Sequence, residues 1–97
     1  MRLTDTETQK IIDVCRRNSV SFCALFGSFA RGDAENDSDI DLLVRFSKPI
    51  GWKFYRIAED LEESLGRRVD LATERMLNRH IRHDVMRHLE VIYEDSH

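Results

Sequence analysis

The fold is decided by two stretches of sequence, Gly27-Ser28-Phe29-Ala30-Arg31-Gly32 and Ser38-Asp39-Ile40-Asp41-Leu42-Leu43-Val44. The run from Ile40 to Val44 has the β-branched and aliphatic composition of a strand. Residues two apart on a strand point to the same face, so Asp39 and Asp41 are expected side by side, roughly 6–7 Å apart along the chain. Two carboxylates this close raise each other's pKa unless a cation lies between them. Their oxygen atoms are suitable ligands for Mg²⁺. Taken alone, the pair is more typical of two solvated acids at a strand end than of a metal site.

The Gly27-Ser28 dipeptide adds a second kind of site. Val20 to Phe26 is predicted to be a mostly buried strand that ends at Gly27, and Phe29 to Gly32 has room for one helical turn. A turn from strand into helix leaves free N–H groups at the positive end of a dipole, which suits a phosphate. Gly27 would let the ligand approach the backbone and Ser28 would add a hydroxyl donor. The Gly-Lys-Ser/Thr of a Walker loop and the Gly-x-Gly-x-x-Gly dinucleotide fingerprint are both missing.

A third carboxylate lies in the short predicted strand Gly66-Arg67-Arg68-Val69-Asp70-Leu71-Ala72. A buried carboxylate between Val69 and Leu71 is costly unless it is paired or bound to a metal. An ion pair with Arg67 or Arg68 is one explanation for Asp70. Together with Asp39 and Asp41, Asp70 instead completes a set of three carboxylates suited to two-metal phosphoryl chemistry.

Composition limits the class of protein. The chain has 97 residues, of which 41% are hydrophobic and 34% charged, and its net charge is −3. We therefore expect residues 1–97 to form one globular domain with a modest core and no strong binding of nucleic acid. No apolar stretch approaches the roughly 20 residues of a membrane span, and no signal peptide is evident. Cys15 and Cys23 lack metal or disulfide spacing, so we expect buried free thiols and a cytoplasmic location.

The remaining elements follow from hydrophobic periodicity and capping signals. Helices are predicted at about Asp5–Asn18, Trp52–Leu65 and Thr73–His88, and strands at Val20–Phe26, Asp39–Phe46, around Asp70, and at Val91–Tyr93. The side chains expected to be buried by the helices are Ile11, Ile12, Cys15, Phe54, Ala58, Leu61, Leu65, Leu77, Ile81, Val85 and Leu89. Alternating helices and strands predict an α/β domain, a small mixed β-sheet with helices packed against it.

The sequence allows more than one role for several charged and aromatic residues. Arg75, Arg79 and Arg82 would share one face of the last helix, as a solvated face or as a patch for an acidic partner or RNA. Trp52 and Tyr55 are expected to cover the rim of the sheet, unless one of them stacks on a base. Candidates for contacting a triphosphate are Arg31 and Lys53. The spacing His80-x-x-His83-Asp84 resembles a metal motif, but no Cys or Glu completes a usual zinc set.

The combination of Gly27-Ser28, a ten-residue gap, Asp39-x-Asp41 and Val69-Asp70-Leu71 resembles the polymerase beta-like nucleotidyltransferases. In its short length and its motif Gly-Ser-x-Ala-Arg-Gly, the chain resembles the minimal nucleotidyltransferases, which are the antitoxins of HEPN/MNT toxin–antitoxin modules. The resemblance implies the polymerase beta-like fold. It also implies Mg²⁺ held by Asp39, Asp41 and Asp70, and a nucleoside triphosphate bound at Gly27, Ser28 and Arg31.

The function implied by the resemblance is transfer of AMP from ATP to a hydroxyl, a tyrosine of a cognate HEPN ribonuclease toxin. One alternative is an antitoxin that neutralises its partner by binding alone. Another is a small-molecule nucleotidyltransferase of the aminoglycoside-modifying type, but the chain is too short to supply a second domain around such a substrate.

Overall fold

The computed structural model describes residues 2–95, which form a four-stranded sheet with helices on both faces. In chain order the elements are α1 (Asp5–Arg17), β1 (Val20–Phe26), α2 (Gly27–Arg31), β2 (Ile40–Phe46), α3 (Lys53–Leu65), β3 (Val69–Ala72), a 3₁₀ helix (Glu74–Met76), α4 (Arg79–Arg87) and β4 (Glu90–Glu94). The predicted α/β class is thereby confirmed. No helix in the described range is long and apolar enough to cross a membrane.

The sheet is mixed, with the strand order β3-β2-β1-β4. β1 runs antiparallel to both β2 and β4, whereas β2 and β3 are parallel and are connected through α3. The two central strands are therefore the most buried, and the predicted strand at residues 91–93 is confirmed as part of the edge strand β4. This order places the starts of β2 and β3 beside the end of β1.

One face of the sheet is covered by α1 and α3. Thr4 caps α1 through a reciprocal capping box with Glu7, in which both hydrogen bonds measure 3.0 Å. Ile11 and Cys15 are buried as predicted, but Val14 takes the third buried position instead of Ile12. On α3 the fully buried residues are Ile57 and Leu61. These helices and the inward-facing residues of the strands make up the main core.

The cysteines lie inside this core. Cys15 of α1 and Cys23 of β1 are both buried and both free thiols, as predicted. A hydrogen bond with Cys15 and burial together raise the pKa of the Cys23 thiol. The Cys23 thiol therefore behaves as a small apolar side chain rather than as a reactive thiolate.

The opposite face carries a smaller cluster formed by Phe26, Leu43, Ala72 and Leu77. Val85 packs against this cluster from α4, and so does Leu89, which lies just after the helix. These two contacts hold α4 over the sheet. No residue of α4 is itself buried. The helix is therefore a lightly attached cover over part of this face.

The last third of the chain departs from the single predicted helix at residues 73–88. Leu77 adopts an extended conformation and is buried in the smaller cluster, which interrupts the helix after Met76. Asn78 then starts α4, since its side chain accepts a hydrogen bond of 2.8 Å from the N–H of His80. Two predictions are wrong as a result. Ile81 is 49% exposed, and Arg75 lies in the 3₁₀ helix, apart from Arg79 and Arg82.

Smaller differences concern the starts of two elements. β2 begins at Ile40, so Asp39 precedes the strand, and α3 begins at Lys53 with Trp52 as its N-terminal cap residue. The prediction that Trp52 covers the rim of the sheet is wrong, because its side chain is 88% exposed. Tyr55, whose ring centre lies 6.3 Å from that of Trp52, is also exposed.

Candidate active site

Strand register builds a row of three side chains across the sheet. Phe26 of β1 is opposite Asp41 of β2, and Asp41 is opposite Asp70 of β3. Residues in register on neighbouring strands project to the same face, which here is the face of the smaller cluster. Asp41 and Asp70, predicted to converge only if their strands are neighbours, are therefore adjacent.

Asp41 is the electrostatic centre of the row. Burial, the charges of Asp70 and Asp39, and a hydrogen bond with Asp70 raise the pKa of Asp41 from 3.8 to about 6. The positive charge of Arg31 acts in the opposite direction and lowers this pKa. Near neutral pH the ionised pair repels itself, so a cation at this point would be stabilising.

Asp39 stands at the edge of the set. Its side chain is exposed just before β2, in a turn where the N–H of Glu35 donates to the Ser38 hydroxyl at 2.8 Å. Its charge contributes to the raised pKa of Asp41. Within residues 2–95, no three acidic, histidine or cysteine side chains lie close enough together to enclose a metal ion. Asp41 and Asp70 are thus the preassembled carboxylates, with Asp39 beside them.

Arg67, one of the two arginines that offered an alternative explanation for Asp70, contacts other groups. Arg67 lies with Nε 3.6 Å from Oε2 of Glu7 and donates from Nη1 to the carbonyl of Asn36 at 3.1 Å. Asp70 itself is exposed on the edge strand and contacts Asp41. Its carboxylate is therefore accessible from solvent and oriented toward the row.

Gly27 has a structural role that the sequence did not indicate. Its φ is +70°, and a Cβ atom at this position would lie 3.0 Å from Cγ and 3.3 Å from Cβ of Asp41, and closer still to the carboxylate oxygen Oδ2. A side chain here would therefore collide with Asp41 as well as strain the backbone. The group that approaches Gly27 in this structure is the Asp41 carboxylate. Its predicted contact with a ligand stays a prediction.

Ser28 lies half-buried in the first turn of α2, which confirms the predicted helical turn after the dipeptide. The residue before α2, Phe26, provides no side-chain cap. By helix geometry, the first N–H groups of α2 have no partner within the helix. This turn is closed at its other end by Gly32, whose N–H donates to the Ser28 carbonyl at 3.0 Å.

Arg31, the last residue of α2, is close enough to Asp41 to lower its pKa. Its guanidinium Nε lies 3.5 Å from Oδ2 of Asp33, and both side chains are more than half exposed. The ion pair is therefore weak and leaves Arg31 able to turn toward an anion. Lys53, the other predicted triphosphate contact, is at the opposite end of the sheet, in a depression with Ser19 and Lys48.

A cleft of about 540 Å³, here named the α4 cleft, adjoins this site. Phe26, Gly27 and Arg31 form one wall. The other wall is one face of α4 and consists of Ile81, Asp84, Val85 and His88. The sequence did not indicate that α4 borders the site, although the spacing of these four residues is that of a single helical face.

The comparison with known proteins agrees with this geometry. Residues 9–97 match the family described as polymerase beta, nucleotidyltransferase. The protein adenylyltransferase MntA of Thermococcus cleftensis is 44% identical over 78 residues, which are 79% of this chain and 77% of that protein.

Two solved structures are similar. One, described as a toxin–antitoxin with AMP-PNP, has a TM-score of 0.77 at 25% identity and covers 92% of this chain and 74% of its own. The other, a minimal nucleotidyltransferase, has a TM-score of 0.71 at 37% identity over 84% of this chain and 85% of its own. The fold and family expected from Gly27-Ser28 and the carboxylates are thereby confirmed. The chain belongs to the polymerase beta nucleotidyltransferase family.

Proposed function

We propose that this protein transfers AMP from ATP to a hydroxyl group of a cognate HEPN ribonuclease toxin and acts as its antitoxin. The observation that carries the proposal is the adjacency of Asp41 and Asp70 beside the uncapped first turn of α2. Further support comes from the 44% identity to a protein adenylyltransferase and from the likeness to a toxin–antitoxin structure with AMP-PNP. The family match over residues 9–97 supports treating residues 1–97 as one nucleotidyltransferase domain.

The carboxylates fit a magnesium site by their chemistry. They offer only oxygen ligands, as Mg²⁺ prefers, and burial together with the charges of Asp70 and Asp39 raises the pKa of Asp41, so a cation would stabilise its ionised form. Asp41 and Asp70 would hold the ion, together with Asp39. Bound Mg²⁺ would neutralise phosphate charge and make the attacking hydroxyl more acidic.

The other residues bind and orient the reactants. The free N–H groups of α2 and the Ser28 hydroxyl hold the β- and γ-phosphates, and Arg31 adds a positive charge next to them. The acceptor oxygen forms a bond to the α-phosphorus while the bond to the β-phosphate oxygen breaks and pyrophosphate leaves. Asp70, which is exposed, accepts the proton of the hydroxyl.

The acceptor comes from the partner. The exposed position of Asp70 on the edge strand leaves the row open on that side, so a second protein can approach it. A tyrosine hydroxyl of the HEPN toxin is the acceptor that the resemblance to MNT antitoxins implies. ATP as substrate and two free buried thiols favour the cytoplasm as the location.

The test uses the protein together with a HEPN toxin that we expect to be encoded next to it. With Mg²⁺ and ATP we expect the mass of the toxin to increase by whole AMP units on a tyrosine. Asp41→Asn should reduce the transfer by at least about a hundredfold, since a group that acts on the reacting atoms is lost. Asp60→Asn, on the helix that covers the opposite face, is the matched control and should retain activity.

The competing function is neutralisation by binding alone. If the Asp41→Asn variant neutralises the toxin as well as the wild-type antitoxin does, and the toxin stays unmodified, neutralisation by binding alone is established and the proposed transferase function is contradicted. Modification of the toxin at a residue other than tyrosine would leave the transferase standing and correct only the acceptor.

A further inference from the structure

The α4 cleft is a candidate binding site because it begins where the proposed phosphate site ends. Gly27 belongs to both, and Phe26 connects the cleft to the carboxylate row through its pairing with Asp41. The end of α4 lies at the same end of the sheet, since Glu90, two residues after His88, pairs with Leu25. A molecule anchored at Gly27 can thus extend along α4.

The walls of the cleft combine apolar and polar groups. Phe26, Ile81 and Val85 provide apolar surface. Ile81 is 49% exposed and presents part of its apolar surface to the cleft. Asp84 and His88, one helical turn apart, add a carboxylate and an imidazole on the same face.

These properties suit a nucleoside. A volume of about 540 Å³ lies within the range of small-molecule sites, which are mainly apolar with a few polar groups. A planar base can lie against Phe26, Ile81 and Val85. A carboxylate accepts hydrogen bonds from ribose hydroxyls, as acidic residues do in dinucleotide-binding folds. Asp84 cannot serve a phosphate in this way, because the two charges repel each other.

We propose that the α4 cleft binds the nucleoside of the substrate nucleotide, with Asp84 accepting hydrogen bonds from the ribose hydroxyls and Ile81 and Val85 contacting the base. This inference rests on the proposed function and extends it. One wall of this site is provided by α4. His88, between the ribose and the phosphates, is a further polar contact. The site would then discriminate ribose from deoxyribose.

The first experiment separates nucleoside from phosphate binding. Calorimetric titrations with Mg²⁺ present compare ATP with tripolyphosphate, which lacks the nucleoside. Ile81→Trp fills the cleft and should weaken ATP binding at least about tenfold while leaving tripolyphosphate binding unchanged. Met86→Trp is the matched control, because Met86 is an exposed apolar residue of the same helix outside the cleft. This control should bind both ligands as the wild type does.

The second experiment concerns the sugar. Wild-type protein should bind ATP more tightly than 2′-deoxy-ATP, and Asp84→Asn should reduce that preference by about tenfold, the effect of a hydrogen bond to a charged group. His83→Ala, on α4 but outside the cleft, should keep the preference.

Three results would overturn the inference. They are equal ATP affinity in Ile81→Trp and Met86→Trp, equal weakening of ATP and tripolyphosphate by Ile81→Trp, and an unchanged sugar preference in Asp84→Asn. If AMP transfer to the toxin persists in such a case, the proposed function stands without this cleft. A wild-type protein that binds neither ATP nor tripolyphosphate would refute both proposals.

Discussion

At the scale of single residues, folding places Asp41 where its ionised form is unfavourable. Its pKa rises from 3.8 to about 6 in the folded protein, so the folded state binds more protons than the unfolded state between these values. The stability of the wild type therefore decreases as the pH rises through about 6. Below about pH 4 both states are protonated and the penalty vanishes.

Asp41→Asn should consequently stabilise the protein at pH 8 in the absence of divalent cations. A pKa increase of this size corresponds to at most about 3 kcal/mol, and because Asp41 is partly exposed we expect about 1–2 kcal/mol. Urea unfolding at pH 4, 6 and 8 measures it. The gain should shrink toward pH 4, and Asp60→Asn should show no such trend. A gain independent of pH would contradict the assignment of the strain to the Asp41 charge.

Gly27 illustrates what a residue pattern can and cannot predict. A glycine between a strand and a helix was expected, and its φ of +70° agrees with the turn. The contact with Asp41 could not be predicted, because it depends on the register that sets Phe26 opposite Asp41. Register is a property of paired strands and is not encoded in the neighbourhood of one residue.

At the scale of elements, prediction succeeded where periodicity and caps agree. β1 was predicted with its observed bounds, and α3 was predicted to within one residue because Gly66 ends it in a left-handed conformation. The predicted helix over residues 73–88 was wrong because Leu77 and Val85 both fit helical spacing. Leu77 is instead extended and buried with Phe26 and Leu43, and Val85 packs against this cluster from the separate helix α4; the cluster is a tertiary feature.

The break gives α4 its own start, so its stability should depend on the cap. Asn78→Ala removes the hydrogen bond from the His80 N–H and should cost about 1 kcal/mol of helix stability. Asn78→Asp preserves an acceptor and should be nearly neutral. Far-ultraviolet circular dichroism during urea unfolding measures both. Equal loss of stability in the two variants would show that the side chain of Asn78 acts by something other than capping.

At the scale of the whole molecule, the negatively charged phosphates of ATP are proposed to bind next to negatively charged carboxylates. Asp41 and Asp70, with the charge of Asp39 near them, lie where ATP phosphates are proposed to bind, so ATP and Mg²⁺ should stabilise the fold together far more than either does alone. At a hundredfold excess over the dissociation constant, about 2.7 kcal/mol is expected, which raises the Tm of a domain this size by about 10 °C or more.

Differential scanning fluorimetry with ATP, Mg²⁺, both, and both plus EDTA gives the measurement. Asp41→Asn should lose most of the joint effect, and Asp60→Asn should retain it. An equal rise in Tm with ATP in EDTA would mean that nucleotide binding does not need a cation, contrary to the proposed roles of the carboxylates. The adjacency of Asp41 and Asp70 was predictable from spacing only in part, because nothing local specifies that β3 pairs with β2.

Because few contacts hold α4 to the sheet, this helix should open locally more often than the rest of the protein. Without a buried residue of its own, α4 is held by Val85, Leu89, the Asn78 cap and a hydrogen bond of 3.0 Å from Arg82 to the Glu74 carbonyl. Its backbone amides should exchange with deuterium long before those of β1 and β2, through opening of this segment alone. A nucleoside lying against α4 would have to close that opening, so part of its binding energy would be used to order the helix, and amide exchange there would slow when the nucleotide binds.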